Sequence, residues 1–142
     1  MILASARQRA LALVFALSSL GAGCQRGPQD PVRVAEEFND AVQRRDARAL
    51  LPMLESSAVE RLRVAASQAS DQVGGRRSIE PWEMLQLVEV DRLRQVASAE
   101  LVKPLDPADT IAQVKLTDSR HNSYTVTLVF ERDSWHVRIP LP

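Results

Sequence analysis

Hydrophobic residues follow different periods in successive parts of the chain. From Ala10 to Leu20 every residue is apolar except Ser18 and Ser19. That run is too short to cross a hydrocarbon core of about 30 Å as a helix. Ala10–Leu17 also lacks the polar residues at helical spacing that a buried amphipathic helix would carry. After Asp30-Pro31, a helix start, the period becomes 3.6, with Val34, Ala35, Phe38, Ala41 and Val42 forming one stripe. Asp30 can accept from free helix amides, and Pro31 suits the first helical position. Glu36-Glu37 and Arg44-Arg45 complement the two ends of this helix's dipole. Asp46 can cap a short second helix bearing Leu50, Leu51, Met53 and Leu54, which Pro52 should kink or shorten. Ser57-Ala58-Val59-Glu60 reads as a capping box opening a third helix, with Leu62, Ala65, Ala66 and Ala69 on one face. Gln72 to Arg77, with Gly74-Gly75, is a loop. Pro81 to Leu87 then reads as a short helix, whose Trp82 and Met84 are of types that more often plug a core than line a ligand site.

Beyond Arg92 the period drops to two. Gln95–Val102 is a strand of poor alternation, and Thr110–Thr117 alternates better, with Ala112, Val114 and Leu116 on one side. Tyr124, Val126, Leu128 and Phe130 alternate against Thr125, Thr127, Val129 and Glu131. Asp133-Ser134 makes a tight turn into Trp135, Val137 and Ile139, which alternate against His136 and Arg138. Asp118 to Ser123 links the preceding pair in the same way. Helices followed by a meander predict an α+β domain, with the N-terminal helices packed on one face of a bent antiparallel sheet.

Composition narrows the function classes. The 142 residues carry 18 basic and 18 acidic side chains, so the basic excess of a nucleic-acid binder is missing. Aromatics at 4% make a stacking platform for single-stranded nucleic acid unsuitable too. The one cysteine excludes an internal disulfide and a paired-cysteine zinc site. The balanced charge averages two unlike parts. Residues 1–23 hold Arg7 and Arg9 and no acid, which leaves 16 basic and 18 acidic residues in the remainder, a net charge of −2.

A basic start, an apolar run of this length and small residues after it have the anatomy of a signal peptide, so export is expected. The run ends Leu20-Gly21-Ala22-Gly23-Cys24. This resembles the lipobox of bacterial lipoproteins, in which a small residue precedes the cysteine that receives a diacylglyceryl group. Gly21 stands where the pattern usually has Leu, and Leu20 lies one place early. The rival reading is ordinary cleavage near Ala22 or Gly23 with a free thiol left behind. The lipoprotein resemblance implies residues 1–23 as signal peptide, Cys24 as the lipidation site, 24–29 as tether and 30–142 as one domain. Acyl chains worth about 0.8 kcal/mol per buried methylene would then anchor the chain in the cell envelope without a transmembrane helix. Gln25 stands where Asp tends to retain a lipoprotein at the inner membrane, so the resemblance implies the outer membrane, facing the periplasm.

A second resemblance covers residues 30 to 140. Asp30-Pro31 opening a helix with Phe38, Arg45-Asp46-Ala47 before Leu50-Leu51, and Glu55-Ser56-Ser57 look like the opening of nuclear transport factor 2-like domains. Tyr124 to Phe130, a turn, and Trp135 to Ile139 look like their ending. The resemblance implies a cone of helices on a curved antiparallel sheet around a pocket. Its members include isomerases and dehydratases alongside many non-catalytic proteins. Residues 65–91 do not align with that cone.

The residues offer little chemistry of their own. His121 falls in a turn and His136 on the polar side of a strand, and with scattered carboxylates they do not make a metal site. Glu36-Glu37 and Asp106/Asp109 read as helix-dipole and turn residues. No nucleophile elbow, dinucleotide fingerprint or phosphate loop occurs. No catalytic residue, cofactor or metal is therefore expected, and Tyr124, Phe38 and Trp82 are the candidate pocket residues. The expected function is a lipid-anchored, non-catalytic envelope domain that binds a small apolar ligand or a partner protein, with no nucleic acid involved. The alternative is a pocket enzyme of isomerase or dehydratase type, and an anchored subunit serving another envelope protein is a third reading. A raised carboxylate pKa beside Tyr124 in a cavity would favour the enzyme, and a filled core or an exposed apolar sheet face the binding role.

Overall fold

The computed structural model describes residues 30–85 and 95–141. The leader, Cys24 and the tether lie outside the described residues, as do Gln86 and Leu87 of the helix expected from Pro81. The chain runs through helix α1 (Pro31–Arg44), α2 (Ala47–Leu50), a 3₁₀ turn (Leu51–Met53), α3 (Ser56–Gln72) and α4 (Pro81–Leu85). Strands β1 (Val96–Leu101), β2 (Ile111–Asp118), β3 (Ser123–Glu131) and β4 (Ser134–Arg138) follow. They form an open antiparallel meander in the order β1-β2-β3-β4. The architecture is α+β, helices first and sheet second.

Helix α1 forms where its signals stand. The Asp30 carboxylate accepts from the Val32 amide at 3.0 Å, and Arg45, in the left-handed region at φ 55°, returns its amide to Ala41 and Val42. Its stripe of Val34, Ala35, Phe38, Ala41 and Val42 is buried and packs across all four strands. The sheet presents Ala112, Val114, Leu116, Val126, Leu128, Trp135 and Val137 from the inner side. Ala35, Ala41 and Ala112 are small enough to bring helix and sheet backbones close, and Phe38 fills the space between them. Each fully buried Val or Leu here stabilises the fold by about 1.5–3 kcal/mol. Phe130 and Trp135, opposite one another on β3 and β4, meet edge to face with ring centres 5.2 Å apart.

Two tight turns set the register of the meander. Asp118 ends β2 almost fully buried, and its Oδ1 accepts from the amides of Arg120 and Asn122 at 2.8 and 2.9 Å. Its Oδ2 accepts from Asn122 Nδ2 at 3.1 Å, so one carboxylate folds the turn back on itself. Arg132 and Asp133 form the β3–β4 turn with both φ angles positive, 52° and 62°. That is the backbone a two-residue hairpin needs to match strand twist. The turn is therefore one residue earlier than Asp133-Ser134, and Ser134 already belongs to β4.

The start of α3 departs from its sequence signal. The helix begins at Ser56, with Glu55 as N-cap, rather than from a capping box at Ser57–Glu60. Glu60 instead pairs with Arg63 at 2.6 Å on the exposed face. The orphan donors at the helix start go to Glu131, whose Oε1 accepts from the Ser56 amide at 2.6 Å and the Ser56 hydroxyl at 2.7 Å. Glu55 is unavailable because Arg138 Nε donates to its buried carboxylate at 2.9 Å. Leu54-Glu55 also runs alongside β4, with a parallel bridge to Val137 and the Glu55 amide donating to the Val137 carbonyl at 2.9 Å. A strand end thus caps a helix whose sequence lies 75 residues away.

Hydrogen bonds from Ser56, with His136 and Arg132 nearby, hold the Glu131 carboxyl below its ordinary pKa of 4.5. A depressed folded-state pKa contributes stability above the unfolded value that is lost as pH falls through the folded one. Urea titrations should therefore show a loss of stability below pH 4.5 that is smaller in Glu131→Gln. The substitution itself should cost about 1 kcal/mol at neutral pH, since water screens part of this cap. An unchanged acid limb in Glu131→Gln would assign the acid sensitivity elsewhere.

Candidate functional site

Phe38 and Asn39 are adjacent on α1, and both face the sheet. Asn39 lies four residues after Ala35 and three before Val42, so helical geometry places its amide inside the apolar stripe. It is 1% exposed. Tyr124 opens the inner row of β3 and donates its hydroxyl to Asn39 Oδ1 at 3.1 Å. Removal from water pushes the Tyr124 pKa up to about 12, so the phenol stays neutral throughout the physiological range. Asn39 Nδ2 is buried with no protein partner. The pair therefore offers one hydrogen bond of its own and one unspent amide N–H₂.

Trp82 is placed differently. It is half-buried on α4, which packs against α2, α3 and the 3₁₀ turn. The Arg48 guanidinium lies over its ring, 4.5 Å from the centre. Trp82 and Met84 rest against the core as plugs, in keeping with their spacing. Phe38 and Tyr124 are thus brought to the helix–sheet interface, whereas Trp82 sits with the helices under Arg48. Among the described residues the hydrogen-bond partner of the Tyr124 hydroxyl is the Asn39 amide and not a carboxylate.

The two histidines occupy the places their pattern suggested. His121 is exposed in the β2–β3 turn at φ 64°. His136 points outward from β4, its Nε2 2.8 Å from Ser134 Oγ and its Nδ1 buried without a partner. Among the described residues no three His, Cys, Asp or Glu side chains are grouped to hold a metal ion. Asp109 Oδ2 accepts from the Asp106 amide at 3.0 Å, a turn closure. A shallow groove of about 310 Å³ lies on α3, lined by Glu60, Arg61, Val64, Ala65 and Gln68.

Asn39, Glu55 and Glu131 carry the buried or partly buried polar contacts that sequence reasoning passed over. Asn39 had a visible signal, a polar residue at a stripe position of a strongly periodic helix. Glu55 and Glu131 had none, because their partners come from the other half of the chain. No protein-family model, curated protein or solved structure matches the chain.

Proposed function

We propose that the chain is a lipid-anchored domain of the bacterial cell envelope, a non-catalytic binding or scaffold module on a nuclear transport factor 2-like plan. The observation that supports the non-catalytic reading lies between α1 and the sheet, where the Tyr124 hydroxyl donates to the Asn39 amide oxygen. Among the described residues Phe38, Leu116 and Leu128 are buried around the same inner side. Helices followed by an antiparallel meander agree with the proposed plan at the level of architecture.

The anchor rests on sequence. A basic, acid-free leader ends in small residues immediately before Cys24, the one cysteine of the chain. Among the described residues no helix is long and apolar enough to cross a membrane. Gln25 favours the outer membrane over the inner. In cells fed an alkyne-tagged palmitate, the protein should take up label and fractionate with outer membranes. Cys24→Ser should lose both label and membrane association, and Gln25→Asp should shift the labelled protein toward inner membranes. Membrane retention of Cys24→Ser would refute the lipid anchor, whatever the domain binds.

A further inference from the structure

Guanidinium groups without a carboxylate partner gather at one corner of the domain. Among the described residues Arg33, Arg63, Arg77 and Arg138 each meet a carboxylate. Arg44, Arg45 and Arg76 meet none, and Arg48 meets only the Trp82 ring, 4.5 Å from its centre. Arg44 and Arg45 close α1, and Arg48 follows in α2. Arg76 precedes Arg77, whose guanidinium reaches Glu83, the neighbour of Trp82. All four are exposed, and separate segments of chain bring them around the first turn of α4. The others without a carboxylate, Arg61, Arg120 and Arg132, stand singly on α3 and in the two hairpin turns.

Two of the carboxylates nearby are already engaged. Asp46 accepts from the Ala49 amide at 3.0 Å, and Glu83 accepts from Arg77 and from the Glu80 amide. With Asp40 and Glu80 counted too, the corner holds five arginines against four acids. Taken from the 16 basic and 18 acidic residues after position 23, these leave 11 and 14, so the remainder carries −3. A cationic corner on an otherwise acidic chain turns toward an anionic surface and keeps the rest away from it. The corner is also partly apolar. Leu51, Met53, Trp82 and Met84 lie there on the 3₁₀ turn and α4, and all are only half-buried. Arginine beside tryptophan suits a headgroup layer, with the charge at the phosphates and the ring at the interface.

Chain length selects the bilayer among anionic partners. Helix α1 has 14 residues, which puts Asp30 about 21 Å from the corner. Residues 24–29 reach at most about 20 Å when extended. With α1 flat on the surface, exposed Glu36, Glu37 and Asp40 would face the phosphates. With α1 upright and its C-terminal end down, the tether is long enough to bring Cys24 back to the level of the corner. We propose that Arg44, Arg45, Arg48 and Arg76, with Trp82 beneath Arg48, dock the domain on the anionic headgroups of the membrane that holds the anchor. The geometry of this docking rests on the lipid-anchor reading. The guanidinium forks donate to phosphodiester oxygens, and each cation is worth about fivefold in the ratio of docked to free domain.

The full chain, purified from cell membranes, is placed with vesicles of phosphatidylcholine alone or mixed with phosphatidylglycerol. Its arginines are then modified with p-hydroxyphenylglyoxal and mapped by mass spectrometry. Phosphatidylglycerol should protect Arg44, Arg45, Arg48 and Arg76 at least about fivefold relative to Arg120 and Arg132. Salt at about 0.5 M, where the screening length falls to about 4 Å, should remove that protection. Arg44→Gln, Arg45→Asn and Arg48→Gln together should cost about a hundredfold in docking and expose Arg76, with Asn chosen for the left-handed backbone at 45. Equal protection of all six arginines, no difference between the two vesicles, or Arg76 protection indifferent to the triple substitution each overturns the proposal. Flotation with pure phosphatidylcholine reads the anchor separately. A chain that floats only with phosphatidylglycerol present refutes the anchor and keeps the docking, and one that floats with neither refutes both. Protection by added polyglutamate but not by phosphatidylglycerol would give the corner to an acidic protein and overturn docking on the bilayer.

Discussion

Phe38→Ala is expected to cost about 3–5 kcal/mol, the upper range for truncating a buried aromatic side chain. Phe38 is 4% exposed at the centre of the α1 stripe. The stripe residues around it include Ala35 and Ala41, and the sheet presents Ala112. Alanines have no longer rotamer with which to fill the space left by the ring, and α1 is pinned against all four strands. The cavity should therefore stay open, adding its own cost to the lost transfer energy. A domain of this size has about 5–15 kcal/mol in total, so the variant would be marginal at 37 °C. Urea unfolding should give a much lower midpoint with an unchanged slope. A loss below about 1 kcal/mol would mean that α1 does not carry the core.

Tyr124→Phe is expected to destabilise the domain by about 1–3 kcal/mol, while Asn39→Leu combined with Tyr124→Phe should cost much less than the two changes apart. The single change leaves the buried Asn39 amide without its one protein partner. The double change removes both polar groups and so the desolvation cost with them. Tyr124 is the chain's only tyrosine, which makes the site directly readable. Its phenolate absorbance should emerge near pH 12 instead of 10. Because the folded-state pKa is raised, stability tied to this group is complete below pH 10 and declines as pH climbs toward 12. Titration at the ordinary value would place the hydroxyl in water and remove it from the helix–sheet interface. If the double variant folds well yet loses a ligand that Tyr124→Phe also weakens, the pair acts as a recognition point and more than a structural bond.

Much of the fold was legible because its signals are local. Asp30-Pro31 and the Val34–Val42 stripe specify α1 within two turns of chain, and the alternation of β2, β3 and β4 decides which residues face inward. Short links between neighbouring strands leave the meander as the simplest pairing. The weak alternation in Gln95–Val102 also had a physical meaning. β1 is an edge strand with a register shift between Val96 and Ser98, so its residues are less sharply divided between two environments.

The polar contacts that organise the domain were not legible in this way. The capping-box pattern at Ser57–Glu60 is a local signal that lost to a stronger tertiary one, the Glu131 carboxylate arriving from β3. The Asn39–Tyr124 bond joins residues 85 positions apart, and Glu55–Arg138 joins residues 83 apart. By itself the sequence determined where the elements lie, which side of each is apolar, and the leader-and-cysteine pattern behind the proposed anchor. Only the tertiary structure decided which side chains pack between α1 and the sheet, that Tyr124 meets an amide, and which partners Glu55 and Glu131 find in the other half of the chain. The difference is one of range: periodicity and capping act within a few residues. Burial and hydrogen-bond partnership depend on which distant segments the collapsed chain brings together.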